Sequence, residues 1–267
     1  MPELAEVKLM TEFFNSVSHG VRFKSIRKSP ESKVKTDLSL APDDESGFVA
    51  KAFSRGKETL IALEGFDTWT EKNLNVTYGM SGHWQYVSHS SKIPKHSHLV
   101  FEAMNGSCIC LVDVRRFAKW KWVMSWSENR GPDPVMEFDL FTENLRTNSH
   151  KKIFDKPICE LLMDQKYFNG IGNYLRAEIL YRADVNPWTP AREAIRNGKL
   201  LALCRIIPME AYKIGGGSIR DWKNPYGDQQ LTMDQWLQCY GKEVSTVDGT
   251  GRKIWFNSKY ALLSEEN

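Results

Sequence analysis

The sequence predicts an α+β chain: one N-terminal helix, a run of short strands forming a β-sandwich or barrel, then a helical region closing on a small two-stranded hairpin. Three observations carry this. Apolar residues near the start recur at spacings of three and four. Between Val21 and Leu111 they fall into short runs separated by turn residues. After Pro134 the helical period returns, until a glycine-rich turn near the end separates two strand-like segments.

Residues 3–17 read as a helix with Leu4, Val7, Met10, Phe14 and Val17 on one stripe. Glu3 and Glu6, three apart, share a face. Phe48–Phe53, Thr59–Leu63 and Val76–Tyr78 read as strands. His98–Ala103 and Cys108–Val112 flank Asn105-Gly106, both tolerant of positive φ and hence a hairpin signal. Residues 28–46 and 88–96 are polar and read as loops. Gly131, Pro132 and Pro134 disfavour regular structure and make residues 125–135 a linker. Asp155-Lys156-Pro157 reads as a helix start with Asp155 as cap, leading into Ile158, Leu161 and Leu162. Gln165–Gly172 is a loop, and Asn173 opens a helix carrying Leu175, Ile179 and Leu180. Thr189-Pro190 starts another, and Gly198–Lys213 is a helix kinked at Pro208 and ended by Gly215-Gly216-Gly217. Lys242–Val247 and Arg252–Phe256 pair around Asp248-Gly249-Thr250-Gly251. Two strands alone are marginal, so this hairpin must lean on the helices or on a ligand.

The 267 residues suffice for two domains, and 41% hydrophobic with 26% charged residues is a globular balance rather than a disordered one. A net charge of +3 leans mildly toward an anionic partner. The five cysteines form no framework and read as reduced thiols of an intracellular protein, with Cys108 and Cys110 as strand residues on one face. No histidine or cysteine stands at zinc-like spacing, so neither metal nor cofactor is expected. No apolar run is long enough to span a bilayer and no secretory pattern opens the chain, so no membrane partner is expected.

The candidate chemistry begins at Met1-Pro2-Glu3. With Met1 removed, Pro2 carries a secondary amine whose pKa, about 8 for an α-amino group, leaves a useful fraction unprotonated at neutral pH. Such an amine attacks a carbonyl-like carbon to give an iminium, and Glu3 beside it moves protons. Pro-Glu is equally an ordinary helix start. Lys57, in the basic turn Ser54–Lys57, is a cation for a phosphate or an ordinary solvated lysine. The glycines before Asn173 expose N–H groups to an anion. Arg252 on a projecting hairpin suits a phosphate or a base edge. Met80, Arg115 and Phe117 on loops could fill a gap left by an extruded base, although alone Met80 and Phe117 read first as core residues.

Taken in register, these motifs resemble the formamidopyrimidine-DNA glycosylase/endonuclease VIII family over nearly the full length. Met1–Val7 resembles its amino-terminal signature, with Ala5 where proline is usual. Arg55-Gly56-Lys57 resembles its basic turn, and Gly79–Gly82 and Asp113–Phe117 its intercalation loops, with Ala118 in place of glycine. Leu161–Lys166 through Gly170–Tyr174 resembles its helix-two-turn-helix, and Gly216–Asp221 and Tyr240–Lys242 also fit. Most members close on a four-cysteine zinc finger. Lys242–Tyr260 lacks every ligand and so looks like a zincless finger, its hairpin held by packing.

The resemblance implies a helix and two-sheet β-sandwich over residues 1–124, a linker at 125–135, a helix-two-turn-helix domain at 136–239 and a zincless finger from 240. It implies a bifunctional glycosylase/AP lyase of base excision repair, with Pro2 as nucleophile, Glu3 as proton donor, Lys57 on a phosphate, and Glu6 relaying protons or fixing Glu3. Asn173, Arg252 and Lys166 are expected on DNA phosphates, and Met80, Arg115 and Phe117 in the duplex. The expected partner is damaged double-stranded DNA, with single-stranded DNA open, bound by a monomer wherever the cell keeps DNA. Oxidised pyrimidines are the favoured lesions. Oxidised purines are the alternative, as is a protein that binds damage without cutting. The segment Trp222–Gln238 is long enough to form a loop over an extruded base.

Overall fold

The computed structural model describes residues 2–30, 32–36, 38, 46–65, 72–217, 222, 224 and 231–263. The chain forms two compact units. One holds residues 6–126 together with Pro2, Gly217, Trp222 and Asn224. The other holds Glu3–Ala5, residues 127–216 and the described residues from 231 onward.

In the first unit, helix α1 (Leu4–Ser18) runs one residue beyond its expected end. It is followed by β1 (Phe23–Lys28), β2 (Phe48–Arg55), β3 (Glu58–Gly65), β4 (Lys72–Thr77), β5 (His83–Val87), β6 (Ser97–Ala103), β7 (Cys108–Val112) and β8 (Lys119–Val123). All pairings are antiparallel, in the order β5-β7-β6-β1-β2-β3-β4-β8. The two-sheet expectation is met by two four-stranded halves, β5-β7-β6-β1 and β2-β3-β4-β8, joined at one residue pair, Phe23 with Phe48. There the two rings stack at 5.7 Å. The inner faces of both halves share one core with Val7, Met10 and Phe14 of α1. Phe14 lies 5.0 Å from Trp84 and 5.3 Å from Phe101. Each such ring contributes roughly 1.5–3 kcal/mol by its burial. A chain of hydroxyls crosses this core. Thr11 and Thr59 share a hydrogen bond at 3.0 Å, Thr59 and Tyr78 one at 2.8 Å, and Trp84 Nε1 donates to Tyr78 at 2.9 Å. Desolvation raises the Tyr78 phenol to about 12 despite these bonds. Asn105-Gly106 does turn β6 into β7, with Gly106 at φ 84°. Cys108 and Cys110 share one strand face with Val100 and Val112. The loop at 88–96 contains a 3-10 turn, Ser90–Lys92; much of 28–46 lies outside the described residues.

The second unit contains α2 (Phe138–Asn148), α3 (Ile158–Leu161), α4 (Asn173–Ala183), α5 (Ala191–Ala194), α6 (Gly198–Lys213), α7 (Met233–Trp236) and the hairpin β9 (Val244–Val247) with β10 (Lys253–Phe256). Helix α4 is almost wholly buried. It ends at Asp184 in the left-handed region, where the Tyr260 hydroxyl donates to the Asp184 carbonyl at 2.9 Å. Leu4 and Ala5 belong to this unit's core, so the stripe predicted for α1 divides: its first turn packs here, its remainder in the sheet unit. Helix α6 has the predicted limits, with Asn197 accepting from Lys199 and Leu200 as cap and Pro208 inside. Asp155 is not a helix cap. It ends a 3-10 turn, Lys152–Asp155, and pairs with Arg192. Helix α3 is a single turn entered from Pro157, which bridges to Pro190. Of the segment 222–238, residues 223 and 225–230 lie outside the described residues; its end forms α7, with a Thr232/Gln235 capping box. No described helix is long and apolar enough to cross a membrane.

Candidate active site

Glu3 sits just before α1 and is 2% exposed. Its partners lie about 170 residues away, at the start of α4. Gly172 N donates to Oε2 at 2.8 Å, Leu175 N to the same oxygen at 3.2 Å, and Tyr174 N to Oε1 at 3.1 Å. A helix start leaves N–H groups without intrahelical partners, and its dipole favours a negative charge there. Gly172, the N-cap residue, has no side chain with which to cap, so Glu3 does so from a distance. The glycine is required: a Cβ at 172 would collide with the Glu3 carboxyl group. Leu4 N donates to Gly170 O at 3.0 Å and fixes the approach of the terminal segment. In the glycine-rich loop it is therefore a carboxylate of the same chain that occupies the exposed amides. Pro2, the neighbouring residue, is buried.

Asn173 opens α4 and is half-buried. Its Oδ1 accepts from Arg176 Nη2 at 2.6 Å. Arg176 Nη1 donates to Asp248 at 2.6 Å, in a pair with both side chains fully buried. Asp248 also organises the hairpin turn, accepting from Thr250 N, Thr250 Oγ1 and Arg252 N at 2.9, 2.7 and 3.0 Å. Burial works against its charge, but the hydrogen bonds from Thr250 and Arg176, the Arg252 N–H and the Arg176 charge outweigh it. They hold the carboxyl below the usual aspartate range. The Arg252 side chain is exposed at the end of that turn. The hairpin is thus held by packing, through Ile254 and Phe256, and also by a buried ion pair absent from the sequence expectation. Its donor set does not suit zinc: residues 242–260 hold no cysteine or histidine, and Asp248 is already engaged. Among the described residues no group of three or more His, Cys, Asp or Glu could hold a metal ion. Lys166 is exposed, its own N–H donating to Asp164 and its carbonyl accepting from Asn144.

In the sheet unit, the loops bearing Met80 and bearing Arg115 and Phe117 meet, at Gly79 against Phe117 and Ser81 against Asp113, and the three are surface residues rather than core. Phe117 is 50% exposed and Met80 39%. The Arg115 guanidinium lies 5.1 Å from the Phe117 ring. Gly79, at φ 59°, packs so closely on Phe117 that a Cβ there would meet the Phe117 Cβ at 2.6 Å. Both loops hang on Asp113, quoted in the sequence as the start of a motif but given no role, which is fully buried. It accepts from Ser81 Oγ at 2.5 Å on one loop, and from the N–H groups of Arg115, Phe117 and Ala118 at 3.1, 2.6 and 2.7 Å on the other. Lys57 occupies the two-residue turn between β2 and β3, half-buried, behind Gly56 at φ 57°. Glu6 is buried and accepts from Gly217 N at 2.7 Å.

Of the residues singled out in the sequence, Met80, Arg115, Phe117, Lys166 and Arg252 are exposed and Pro2, Glu3 and Glu6 are buried; the residues that hold several of them, Asp113, Arg176 and Asp248, were given no role. A buried Arg-Asp pair 72 residues apart has no local signal. Asp113 had one, since an aspartate just before a turn commonly accepts from the N–H groups that follow it.

A family model described as the formamidopyrimidine-DNA glycosylase N-terminal domain matches residues 1–120, and a second, described as the H2TH domain of the same enzyme, matches residues 131–221. The chain is 35% identical to Endonuclease 8-like 1 of Mus musculus, over 96% of this chain and 72% of that protein, and equally to the Homo sapiens protein. It is 31% identical to formamidopyrimidine-DNA glycosylase of Streptococcus agalactiae serotype III, over 91% and 89% of the two chains. Its fold is similar to the crystal structure of MutM (Fpg) from Thermus thermophilus, with a TM-score of 0.76 at 24% identity over 97% and 98% of the chains. It is also similar to Lactococcus lactis Fpg in complex with an oxidised-pyrimidine-containing DNA, with a TM-score of 0.77 at 23% identity over 97% and 99%. With both domain models matched in order and curated relatives above 30% identity along most of their lengths, the chain belongs to the formamidopyrimidine-DNA glycosylase/endonuclease VIII family of DNA glycosylases with AP lyase activity.

Proposed function

We propose that the protein removes oxidised bases, pyrimidines foremost, from damaged duplex DNA and cleaves the strand by β,δ-elimination through an iminium formed on Pro2. The observation that carries this reading is the junction at Pro2-Glu3, where the would-be nucleophile is the chain neighbour of a residue whose carboxylate three amides hold in one orientation. Once Met1 is removed, the Pro2 nitrogen lone pair attacks the sugar C1′. The C1′–base bond breaks, and the base leaves with the electron pair and takes up a proton. Glu3 takes up the proton that the Pro2 nitrogen sheds on attack and delivers it to the ring oxygen as the ring opens. The C1′–nitrogen iminium acidifies the C2′ proton, whose loss expels the 3′ phosphate; a second elimination expels the 5′ phosphate, and water then releases the Pro2 amine. Lys57, Asn173, Arg252 and Lys166 grip phosphates, and Glu6 assists proton movement at the terminus. Met80, Arg115 and Phe117 fill the space of the extruded nucleotide, offsetting lost stacking. Residues 1–124 serve as the catalytic domain, 136–239 as the helix-two-turn-helix domain, and the hairpin after residue 240 as the finger.

The preference for oxidised pyrimidines rests on the endonuclease 8-like relatives and the zincless hairpin. The match to streptococcal formamidopyrimidine-DNA glycosylases favours a second reading, with oxidised purines as substrate. Borohydride reduction during turnover on a damaged duplex should yield a covalent protein–DNA adduct mapping to Pro2. An active preparation that gives none would remove Pro2 as the nucleophile. A panel of single-lesion duplexes separates the two readings; rates highest on 8-oxoguanine opposite cytosine would reverse the lesion preference.

A further inference from the structure

We propose that Arg176 is a positioning residue for DNA binding, which aims the Asn173 amide and, through Asp248, fixes the turn bearing Arg252, so that the two grips act as one device. The proposal rests on the reading of Asn173 and Arg252 as phosphate contacts.

Arg176 is 0% exposed. One guanidinium nitrogen donates to the Cys159 carbonyl at 2.9 Å and to Asp248 at 2.6 Å; the other donates to Asn173 Oδ1 at 2.6 Å and to the Lys253 carbonyl at 3.1 Å. Arginine has donors and no acceptor. Asn173 must therefore turn its oxygen toward Arg176, which leaves the Nδ2 amino group, with its two N–H donors, as the outward end. That is the end able to bind a phosphate oxygen. The other arm of the network reaches Arg252. Asp248 uses Oδ2 for Arg176 and Oδ1 for the N–H groups of Thr250 and Arg252, while its own N–H donates to the Arg252 carbonyl at 2.9 Å. The backbone of the turn and the amide of the helix start are thereby referred to the same planar group. The guanidinium spans both because it is a rigid fork, which a lysine ammonium is not. Its Nε–H is buried without a partner, so the side chain is kept in place at the cost of an unsatisfied donor.

The test is a pair of double-mutant cycles read by affinity for a duplex holding a tetrahydrofuran abasic analogue, by its salt dependence, and by single-turnover cleavage at saturating enzyme. Arg176→Lys should weaken binding about tenfold and flatten the salt dependence by about one phosphate contact. The saturated rate should fall less than threefold. Combined with Asn173→Ala it should be no worse than the poorer single variant, and Asp248→Asn with Arg252→Ala should be similarly non-additive. If Arg176→Lys does not fold, the Asp248→Asn cycle decides alone. Additive losses, or a fall in melting temperature with affinity unchanged, overturn the positioning role. Wild-type affinity and salt dependence in Asn173→Ala overturn the phosphate reading of Asn173 instead, and the proposal with it.

Discussion

Replacing Glu3 by glutamine should destabilise the folded protein, not merely inactivate it. The carboxylate offers acceptors on both oxygens to the amides of Gly172, Tyr174 and Leu175. A glutamine has one oxygen. Placed where Oε2 stands, it keeps two of the three bonds but loses their charge assistance, which costs roughly 0.5–1 kcal/mol for each. The amino group then faces the Tyr174 N–H, donor against donor, leaving a buried amide unpaired at roughly 1–2 kcal/mol. The sum is about 3 kcal/mol, a fall in melting temperature of roughly 10 °C if that unit unfolds on its own with about 2.1 cal/mol/K of unfolding entropy per residue. Urea denaturation of wild type, Glu3→Gln and Glu3→Asp measures it. The aspartate keeps the charge but is one methylene shorter and should fall between the two. A Glu3→Gln protein within about 0.5 kcal/mol of wild type would refute the capping role. The outcome bears on enzymology, because the activity of Glu3 variants has to be compared at equal fractions folded before any loss is assigned to proton transfer.

Gly79→Ala should reduce cleavage while leaving the sheet intact, because the new methyl group meets Phe117 and the backbone is already at positive φ; unchanged lesion affinity would contradict the contact. The hairpin should have an acid limit. The Asp248 carboxyl is held below its ordinary value, so its contribution is fully present above about pH 4, the unfolded pKa, and is lost as pH falls through the lower folded value. Hydrogen exchange at the Thr250 and Arg252 amides should show protection that is level from neutrality to about pH 4 and drops below it, and Asp248→Asn should abolish the step. A midpoint near pH 6 would assign it to another group. All five cysteines are buried, and burial raises Cys110, Cys159 and Cys239 to about 12. Native protein at pH 7.5 should resist maleimide and react fully once unfolded, which intact mass spectrometry reads directly. Phe14→Ala should cost about 3–5 kcal/mol by opening a cavity beside Trp84 and Phe101.

The sequence was most legible where local chemistry and tertiary structure agree. Helix α6 lies between a capping asparagine and a run of glycines, and its limits are those predicted. Strand β7 and the Asn105-Gly106 turn likewise follow from their own residues. Helix α2 escapes individual prediction because only Phe141 and Leu145 of its four apolar residues are buried, too few to mark a stripe. Strand β8, Lys119–Val123, alternates clearly but lies past the point where the strand region is expected to end. Asp155 departs from its predicted role because the chain enters α3 through the Pro157–Pro190 bridge, a tertiary contact. The outward residues of the site were readable from their motifs. Their supports were not, since Arg176 and Asp248 gain meaning only when distant segments meet.

Asp113 has a consequence for how such a protein can diversify. Its carboxylate grips hydroxyl and backbone groups, never the displayed side chains of Met80, Arg115 and Phe117. Mounting and cargo are therefore separable. The three tips can be exchanged for other residues without removing the hydrogen bonds that carry them, so what this surface displays can change by single substitutions while both loops stay anchored. A change at Asp113 itself would release both loops together.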